Sequence, residues 1–166
     1  MDAVVTRLPL ATDQLHVTIL YDEPRALLLP LDHRLAGKEF VTLDDIADEP
    51  LPMAADPVWN AFWRIDPRPD GSRAPDGPLV ESVEDKIELI AAGQAVAIIP
   101  MSDGIVGSPR PDLTAVALRG VDPSHVVLAT RAEDHNRLLA AFRKYAEAHI
   151  TGPACPKPSD DGPTRT

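Results

Sequence analysis

Hydrophobic residues at the start of the chain fall in short runs separated by prolines and polar turns. Residues 3–8, 15–20 and 25–29 are rich in aliphatic and β-branched side chains, which predicts three strands. The unbroken apolar run at residues 26–29 is typical of a strand buried on both faces, as in α/β sheets. The beginning of the chain is therefore predicted to consist mainly of strands.

The next region has the spacing of short helices. Thr42, with Asp45 three residues later, predicts the start of a helix of one or two turns that ends before Pro50. Residues 58–65 place three apolar side chains on one helical face, with two tryptophans beside it: Val58, Phe62, Ile65, Trp59 and Trp63. The proline- and glycine-rich segment 66–78 is predicted to be a surface loop.

Residues 79–100 contain the most clearly specified unit. A short strand leads to Ser82, a favoured N-cap residue, and Gly93 is a typical helix stop. Between them runs an i, i+4, i+7 apolar stripe of Val83, Ile87 and Ile90. The apolar run 95–99 then predicts a buried strand, so the unit is predicted to be a strand–helix–strand crossover of the kind that builds parallel sheets.

The last part of the chain predicts two more strands, at residues 113–118 and 126–131. A helix follows at about residues 136–149, and its aligned side chains are Leu138, Phe142, Tyr145 and His149. Residues 151–166 have the composition of a disordered tail. Strands that alternate with helices in this way predict an α/β fold.

Charge and composition exclude several classes of protein. The 166 residues carry a formal net charge of -10 and no basic cluster, which argues against direct DNA binding, since such binding depends on Lys and Arg. Cys155 is the single cysteine, so an internal disulfide or a cysteine zinc site is excluded. No apolar run approaches the ~20 residues needed to cross a membrane, and a cytoplasmic location is the default expectation.

The chain also lacks the motifs of common enzymes. It has no glycine-rich phosphate loop, no nucleophile motif and no H-E-x-x-H sequence, and its histidines lack metal-ligand spacing. Glu81 and Glu84 are interpreted as charges at a helix start. We therefore predict no catalytic residue, no metal and no cofactor.

Three stretches together resemble the effector-binding region of LysR-type transcriptional regulators. Residues 2–9, DAVVTRLP, are similar to that family's D-A-x-x-x-R strand. Residues 23–36, EPRALLLPLDHRLA, and residues 43–50, LDDIADEP, resemble its P-L-V-L-x-L-P-x-D-H-P-L-A and L-x-D-L-A-D-E-P sequences, with Arg34 where proline is common. Residues 81–100, which end in IAAGQAVAIIP, are similar to its V-A-A-G-x-G-I-x-L-L-P stretch, with Ala95 in place of a glycine.

The resemblance implies an α/β fold of the periplasmic-binding-protein type II-like kind, with two lobes. It divides the chain into a remnant of lobe one at residues 1–29 and 126–150, and lobe two at residues 30–125. The connections between lobes are expected near Pro30 and Ser124. Lobe one is expected to be incomplete, because its first part and the DNA-binding winged helix-turn-helix would precede residue 1.

The resemblance also implies a small-molecule effector, often a carboxylate, held between the lobes. Arg7 is at the matching strand end and would bind a carboxylate; the alternative is an arginine paired with an acidic neighbour. Ser82 and Val83 begin a helix whose free N–H groups attract anions. Because Glu84 and Asp85 already suit the helix dipole, Ser82 is also interpreted as a plain cap.

Two apolar residues complete the candidate effector site. By the same resemblance, Trp59 would form a wall of the cleft, and its alternative is a core position beside the helical stripe. Pro100 would lie at the cleft edge, and its alternative is a simple strand stop. These two positions, with Arg7, Ser82 and Val83, are the predicted effector-binding residues.

The sequence therefore predicts the small-molecule sensing domain of a LysR-family regulator, and it leaves two alternatives open. One is a small α/β enzyme with an unrecognised site, which would need a cleft with strongly perturbed titratable groups. The other is a regulator remnant that acts as a protein-interaction module, by homo-oligomerisation or by pairing with intact regulator subunits. An exposed apolar flank on lobe one, with self-association, is expected from the incomplete lobe.

Overall fold

The computed structural model describes residues 3–101 and 110–152. Asp2, Cys155 and most of the predicted tail lie outside these ranges. Within them the chain forms nine strands and three helices, in the order β1 (Ala3–Arg7), β2 (Leu15–Glu23), β3 (Arg25–Pro30), β4 (Phe40–Val41), β5 (Leu51–Met53), α1 (Pro57–Trp63), β6 (Asp76–Leu79), α2 (Val83–Ala91), β7 (Ala97–Pro100), β8 (Leu113–Leu118), β9 (Ser124–Arg131) and α3 (Arg137–His149).

The strands form three sheets. A three-stranded sheet has the order β1-β9-β2, a four-stranded sheet has the order β4-β8-β3-β7, and a two-stranded sheet joins β5 to β6. The pairs of β9 with β1 and β2 and of β3 with β7 and β8 are antiparallel, while β4–β8 and β5–β6 are parallel. The predicted α/β class is confirmed.

The sheet membership of β3 corrects the predicted boundary near Pro30. Residues 25–29 were expected to stay with β1 and β2, but β3 pairs with β7 and β8 in the four-stranded sheet. The chain therefore leaves the three-stranded sheet at Pro24 and returns to it at Ser124. The physical reason is that β3 hydrogen-bonds to β7 on one side and β8 on the other, while its alternating apolar side chains pack into core clusters on both faces of this sheet.

The predicted crossover at residues 79–100 also differs from the observed pairing. β6 pairs with β5 and β7 pairs with β3, so the strands on either side of α2 are not paired with each other. A hydrogen bond of 3.0 Å from the Val96 N–H to the Pro50 carbonyl links the starts of β7 and β5. The strand–helix–strand crossover between paired parallel strands is instead formed by β5, α1 and β6.

Local signals account for the ends of α2. The Ser82 hydroxyl accepts a 3.0 Å hydrogen bond from the Asp85 N–H, as predicted for an N-cap. Beyond the last turn, Gly93 takes a φ of 73°, and its N–H donates to the Ile90 carbonyl. The Gln94 N–H donates to the Leu89 carbonyl at 3.0 Å, which completes a Schellman motif.

The helix predicted at Thr42 is a run of turns instead. The Thr42 N–H donates to the Asp45 carboxylate at 2.9 Å, so one half of a capping box forms. The bonds that follow span three residues, from the N–H of Ala47 to the carbonyl of Asp44 at 3.3 Å and from that of Glu49 to Ile46 at 3.1 Å. This spacing belongs to the tighter 3₁₀ geometry, which rarely extends beyond a few residues.

The core covers both faces of the four-stranded sheet. Leu27 and Leu29 belong to a cluster on one face, together with Val41, Ile46 and Leu51. The intervening residues of β3 belong to a second cluster on the other face, which consists of Ala26, Leu28, Ile90, Ala97, Ile99 and Leu113. This alternation confirms that β3 is buried on both faces.

Helix α3 turns a different face to the protein than the sequence predicted. Leu139 and Ala146 are its buried apolar residues, and Arg143 donates to the Thr130 hydroxyl at 3.0 Å. The predicted stripe of Leu138, Phe142, Tyr145 and His149 is exposed, with Leu138 79% exposed. Val4 and Val5 on β1 are also exposed; an apolar flank on lobe one and self-association through it stay predictions.

Candidate functional site

A cleft of about 610 Å³ lies between the end of β1 and the four-stranded sheet with its helices α1 and α2. The three-stranded sheet contributes the end of β1 and the two residues after it, Leu8 and Pro9. Side chains from α1, α2 and β7 form the opposite wall, among them Trp59, Trp63, Val83, Lys86, Ile87, Ile99 and Pro100. Most of this lining is apolar, so the cleft suits a ligand with a hydrophobic body.

The cleft brings together four of the five predicted site residues. Arg7, Trp59, Val83 and Pro100 all line it. Ser82 does not; it lines an adjoining cavity of about 280 Å³ that shares Trp59, Val83 and Lys86 with the cleft. Residues that are far apart in sequence therefore converge, because α1 contacts β7 and α2 contacts β3, the strand of the four-stranded sheet that pairs with β7.

Arg7 already has an anionic partner within the protein. Its Nε and Nη2 atoms donate to the two carboxylate oxygens of Glu23, at 2.6 and 3.1 Å. The hydrogen bond to Glu23 raises the pKa of Arg7 above its ordinary value. Glu23 is only 1% exposed, so Arg7 neutralises a buried carboxylate and corresponds to the alternative interpretation of this residue.

Trp59 combines its two predicted roles. It is half-buried against the core cluster, and it also lines the cleft. The Asn60 side chain fixes its helix by exchanging two hydrogen bonds of 2.8 Å with the backbone N–H and carbonyl of Ala54. Trp63, four residues along the same face of α1, is a cleft residue that the sequence analysis missed.

Lys86 is the most informative residue that the sequence analysis missed. It lies on the α2 face that carries Val83, Ile87 and Ile90, and it lines both the cleft and the adjoining cavity. Burial is the only cause that lowers its pKa, and no acidic side chain among residues 3–101 and 110–152 pairs with it. The sequence contained one signal for this residue, which is a lysine beside the apolar stripe of α2.

Replacing Lys86 with methionine is expected to stabilise the ligand-free protein near neutral pH, because it removes a partly buried charge that pairs with no acidic side chain in the described ranges. The lowered pKa of Lys86 lies below the ~10.4 of an unfolded lysine, so between these values the unfolded chain binds more protons. Stability of the unaltered protein therefore rises with pH across this window. In urea unfolding, the advantage of Lys86→Met should shrink as the pH rises through the lowered pKa of Lys86 towards the ~10.4 of the unfolded chain.

The exposed Lys144 on α3 provides the matched control for this measurement. Lys144→Met removes the same charge from a solvated position and should change stability little at any pH. An advantage of Lys86→Met that stays constant across the pH range would show that Lys86 titrates as an ordinary lysine, and would contradict the prediction.

The described residues contain no metal-type cluster. Among residues 3–101 and 110–152, no group of three or more His, Cys, Asp or Glu side chains is arranged to hold a metal ion. None of the helices in these ranges is long and apolar enough to cross a membrane. The described lining of the cleft therefore consists of apolar walls, of Lys86, which no described acidic side chain pairs with, and of Arg7, which is bound to Glu23.

Comparison with known proteins identifies what this chain is similar to. The family model described as "LysR substrate binding domain" matches residues 1–151. The HTH-type transcriptional regulator AlsR of Bacillus subtilis (strain 168) is 27% identical over 150 residues, which are 86% of this chain and 48% of that protein. The chain thus spans about half the length of this curated relative.

Solved structures show the same fold. The effector binding domain of BenM with its effector benzoate superposes with a TM-score of 0.70 at 19% identity, over 89% of this chain and 68% of that one. HinK, a LysR family transcriptional regulator from Pseudomonas aeruginosa, gives 0.70 at 17% identity, over 90% and 53%. A Corynebacterium glutamicum OxyR C206 mutant gives 0.70 at 20% identity, over 89% and 48%.

Proposed function

The chain belongs to the LysR substrate-binding domain family, and we propose that it senses a small-molecule effector on behalf of a LysR-type transcriptional regulator. Its fold is the periplasmic-binding-protein type II-like fold of the effector-binding domains that it matches. In this proposal the three-stranded sheet belongs to one lobe and the four-stranded sheet to the other, and the effector lies in the cleft between them. The domain binds its ligand without transforming it.

The observation that carries the proposal is an apolar cleft that contains Lys86, a partly buried cation without an acidic partner among the described residues. Trp59, Trp63 and Val83 supply hydrophobic contact, and Lys86 supplies a positive charge that has no acidic partner in the part of the chain that the structure describes. An anionic ligand would relieve the cost of burying that charge. The effector is therefore a small molecule with an apolar body and a carboxylate, and Lys86 rather than Arg7 binds the carboxylate.

Sensing requires that the ligand binds two arrangements of the lobes with different affinity. A carboxylate on Lys86 and an apolar body against β1 would contact both sides of the cleft at once, so the closed arrangement would bind more tightly. In the complete regulator this shift would change how subunits hold DNA in the cytoplasm. The net charge of -10 makes the chain itself a poor DNA-binding surface, and other segments would contact the DNA.

A comparison of matched acids and amides tests the proposed function. Benzoate, other aromatic acids and small aliphatic carboxylates are titrated by calorimetry, each beside its neutral amide. We expect the acids to bind and their amides to bind more weakly by about 10- to 100-fold, as a charge-assisted hydrogen bond contributes about 1.5–3 kcal/mol. Lys86→Met should abolish this difference between acid and amide, and Lys144→Met should preserve it.

Two outcomes would contradict the proposal in different ways. A folded sample that no carboxylate stabilises against heat would argue against effector sensing, since a ligand of the native state must raise stability. Acids that bind equally well to Lys86→Met would retain the sensing function but remove Lys86 as the group that binds the carboxylate.

A further inference from the structure

A second cavity, of about 560 Å³, lies where the chain passes between the two sheets. It shares no lining residue with the effector cleft. Asp22 of β2 and His125 of β9 line one side, and residues connected to the four-stranded sheet line the other: Arg25, Phe62, Ile65 and Asp122. This rear cavity therefore also lies between the two sheets, and it has its own set of charged groups.

Helix α1 separates the two cavities. Trp59 and Trp63 face the effector cleft, while Ala61 and Phe62 line the rear cavity. At about 100° per residue, Ala61 points away from the face shared by Trp59 and Trp63. A ligand in the rear cavity would therefore contact α1 on the side opposite to the effector.

Arg25 gives the rear cavity an unsatisfied cation. Its side chain is 4% exposed, its Nη1 donates to the Phe62 carbonyl at 2.9 Å, and its guanidinium carbon lies 3.8 Å from the centre of the Phe62 ring. Its buried Nε has no hydrogen-bond partner among residues 3–101 and 110–152. Burial lowers the pKa of Arg25, and Asp122 opposes that shift only through its charge. A buried guanidinium with an unmet donor requires an explanation.

The acidic groups around Arg25 define the kind of ligand that fits. Asp22 hydrogen-bonds to His125 at 2.5 Å, and Asp122 is exposed. With one guanidinium and two carboxylates, the lining disfavours a simple anion, because each carboxylate would repel it. A ligand with both an anionic and a cationic group matches this arrangement, and Phe62 and Ile65 provide apolar contact for its body.

We infer that the rear cavity is a second binding site, for a small zwitterion of the α-amino acid type. The carboxylate of the ligand binds to Arg25, and its ammonium group lies beside Asp122 and Asp22. This site is independent of the proposed effector cleft, and its occupant contacts both sheets and α1.

Three ligands of matched shape test the site. Leucine carries both charges, 4-methylpentanoate lacks the ammonium group, and 3-methylbutylamine lacks the carboxylate. Each is titrated into the folded protein, and its affinity for the rear cavity is read from the NMR signals of the Arg25 Nε–H and the His125 ring, because calorimetry would also detect carboxylates that bind in the effector cleft. We expect leucine to shift the signals of Arg25 and His125 in a saturable way, and each analogue to bind at least about tenfold more weakly, as expected when one charged contact is lost.

Three variants identify where the ligand binds. Arg25→Met should reduce leucine affinity by about tenfold or more. Asp122→Asn changes an exposed side chain, so it should fold normally and still weaken leucine binding several-fold. Lys86→Met, which alters the effector cleft and the cavity beside it, should leave the shifts of the Arg25 and His125 signals by leucine unchanged.

The outcomes separate this inference from the proposed function. Leucine binding that is lost in Lys86→Met but retained in Arg25→Met and Asp122→Asn would place the ligand in the effector cleft and overturn the second site. Equal affinities of leucine and 4-methylpentanoate, when both are read from the Arg25 and His125 signals, or no shift of these signals by leucine, would overturn it as well. Carboxylate binding at Lys86, measured in the same samples, would remain valid in each of these cases.

Discussion

Replacing Arg7 with methionine is expected to lower the free energy of unfolding by about 3 kcal/mol, because it leaves Glu23 buried without its charged partner. Glu23 is 1% exposed, and both of its carboxylate oxygens accept hydrogen bonds from Arg7. Arg7 itself is 43% exposed and would regain water if Glu23 were removed. The two halves of the pair are therefore unequal, and loss of the arginine is the more damaging change.

Urea unfolding of three variants measures this asymmetry. Arg137→Met removes an arginine from an exposed position and should change stability by less than about 0.5 kcal/mol. The double variant Arg7→Met, Glu23→Leu should recover most of the loss, since an apolar pair can replace a buried ion pair at little cost. If Arg7→Met proved as stable as the unaltered protein but bound carboxylates weakly, Arg7 would be an effector ligand after all.

Leu27→Ala is expected to cost about 3 kcal/mol, within the range of large-to-small substitutions in a rigid core. Leu27 is 0% exposed and lies on β3, where neighbours on both sides hold the backbone in place. Its partners in register are Ile98 on β7 and Val116 on β8. The surrounding structure therefore has little freedom to close the cavity that alanine would leave.

Leu31→Ala is the matched control, because Leu31 follows the same strand but is 56% exposed. The same chemical change there should cost less than about 0.5 kcal/mol. Equal losses for the two variants in urea unfolding would mean that β3 is not the rigid centre of the core. Such a result would also weaken the assignment of β3 to the four-stranded sheet.

Much of the secondary structure could be predicted because its signals are local. Ser82 and Gly93 mark the ends of α2 through bonds to residues within four positions. The apolar run of β3 indicates burial on both faces without any knowledge of its neighbours. Where such signals agree with each other, a short stretch of sequence is sufficient.

The wrong predictions concern strand pairing and helix packing, which depend on residues that are distant in the sequence. The sheet to which β3 belongs is decided by pairing with Ile98 and Val116, which no local pattern reveals. In α3, two neighbouring faces carry apolar residues, and the one with Leu139 and Ala146 packs against the protein while the one with Leu138 does not. A stripe of large side chains was not sufficient to identify the buried face.

The candidate site was predicted in its location more than in its chemistry. Family resemblance led to Arg7, Trp59, Val83 and Pro100, and all four line the cleft. It did not reveal that Glu23 already pairs with Arg7, because that contact crosses from β1 to the end of β2. Lys86 was overlooked because charged residues on helices are usually solvated, and only its surroundings in the fold distinguish it.

The short connections between the two sheets limit how the halves of the protein move relative to each other. A single residue, Pro24, separates β2 from β3, and its ring fixes one of its two backbone torsions. Its carbonyl is also held at 2.7 Å by the Met101 N–H. The return path, residues 119–123, is longer and includes Gly120 with a φ of 79°. Rotation of one sheet relative to the other is thus concentrated in a few backbone bonds, and Pro24 is the fixed pivot. Microsecond-to-millisecond relaxation should therefore be strongest in the amide NMR signals of residues 119–123.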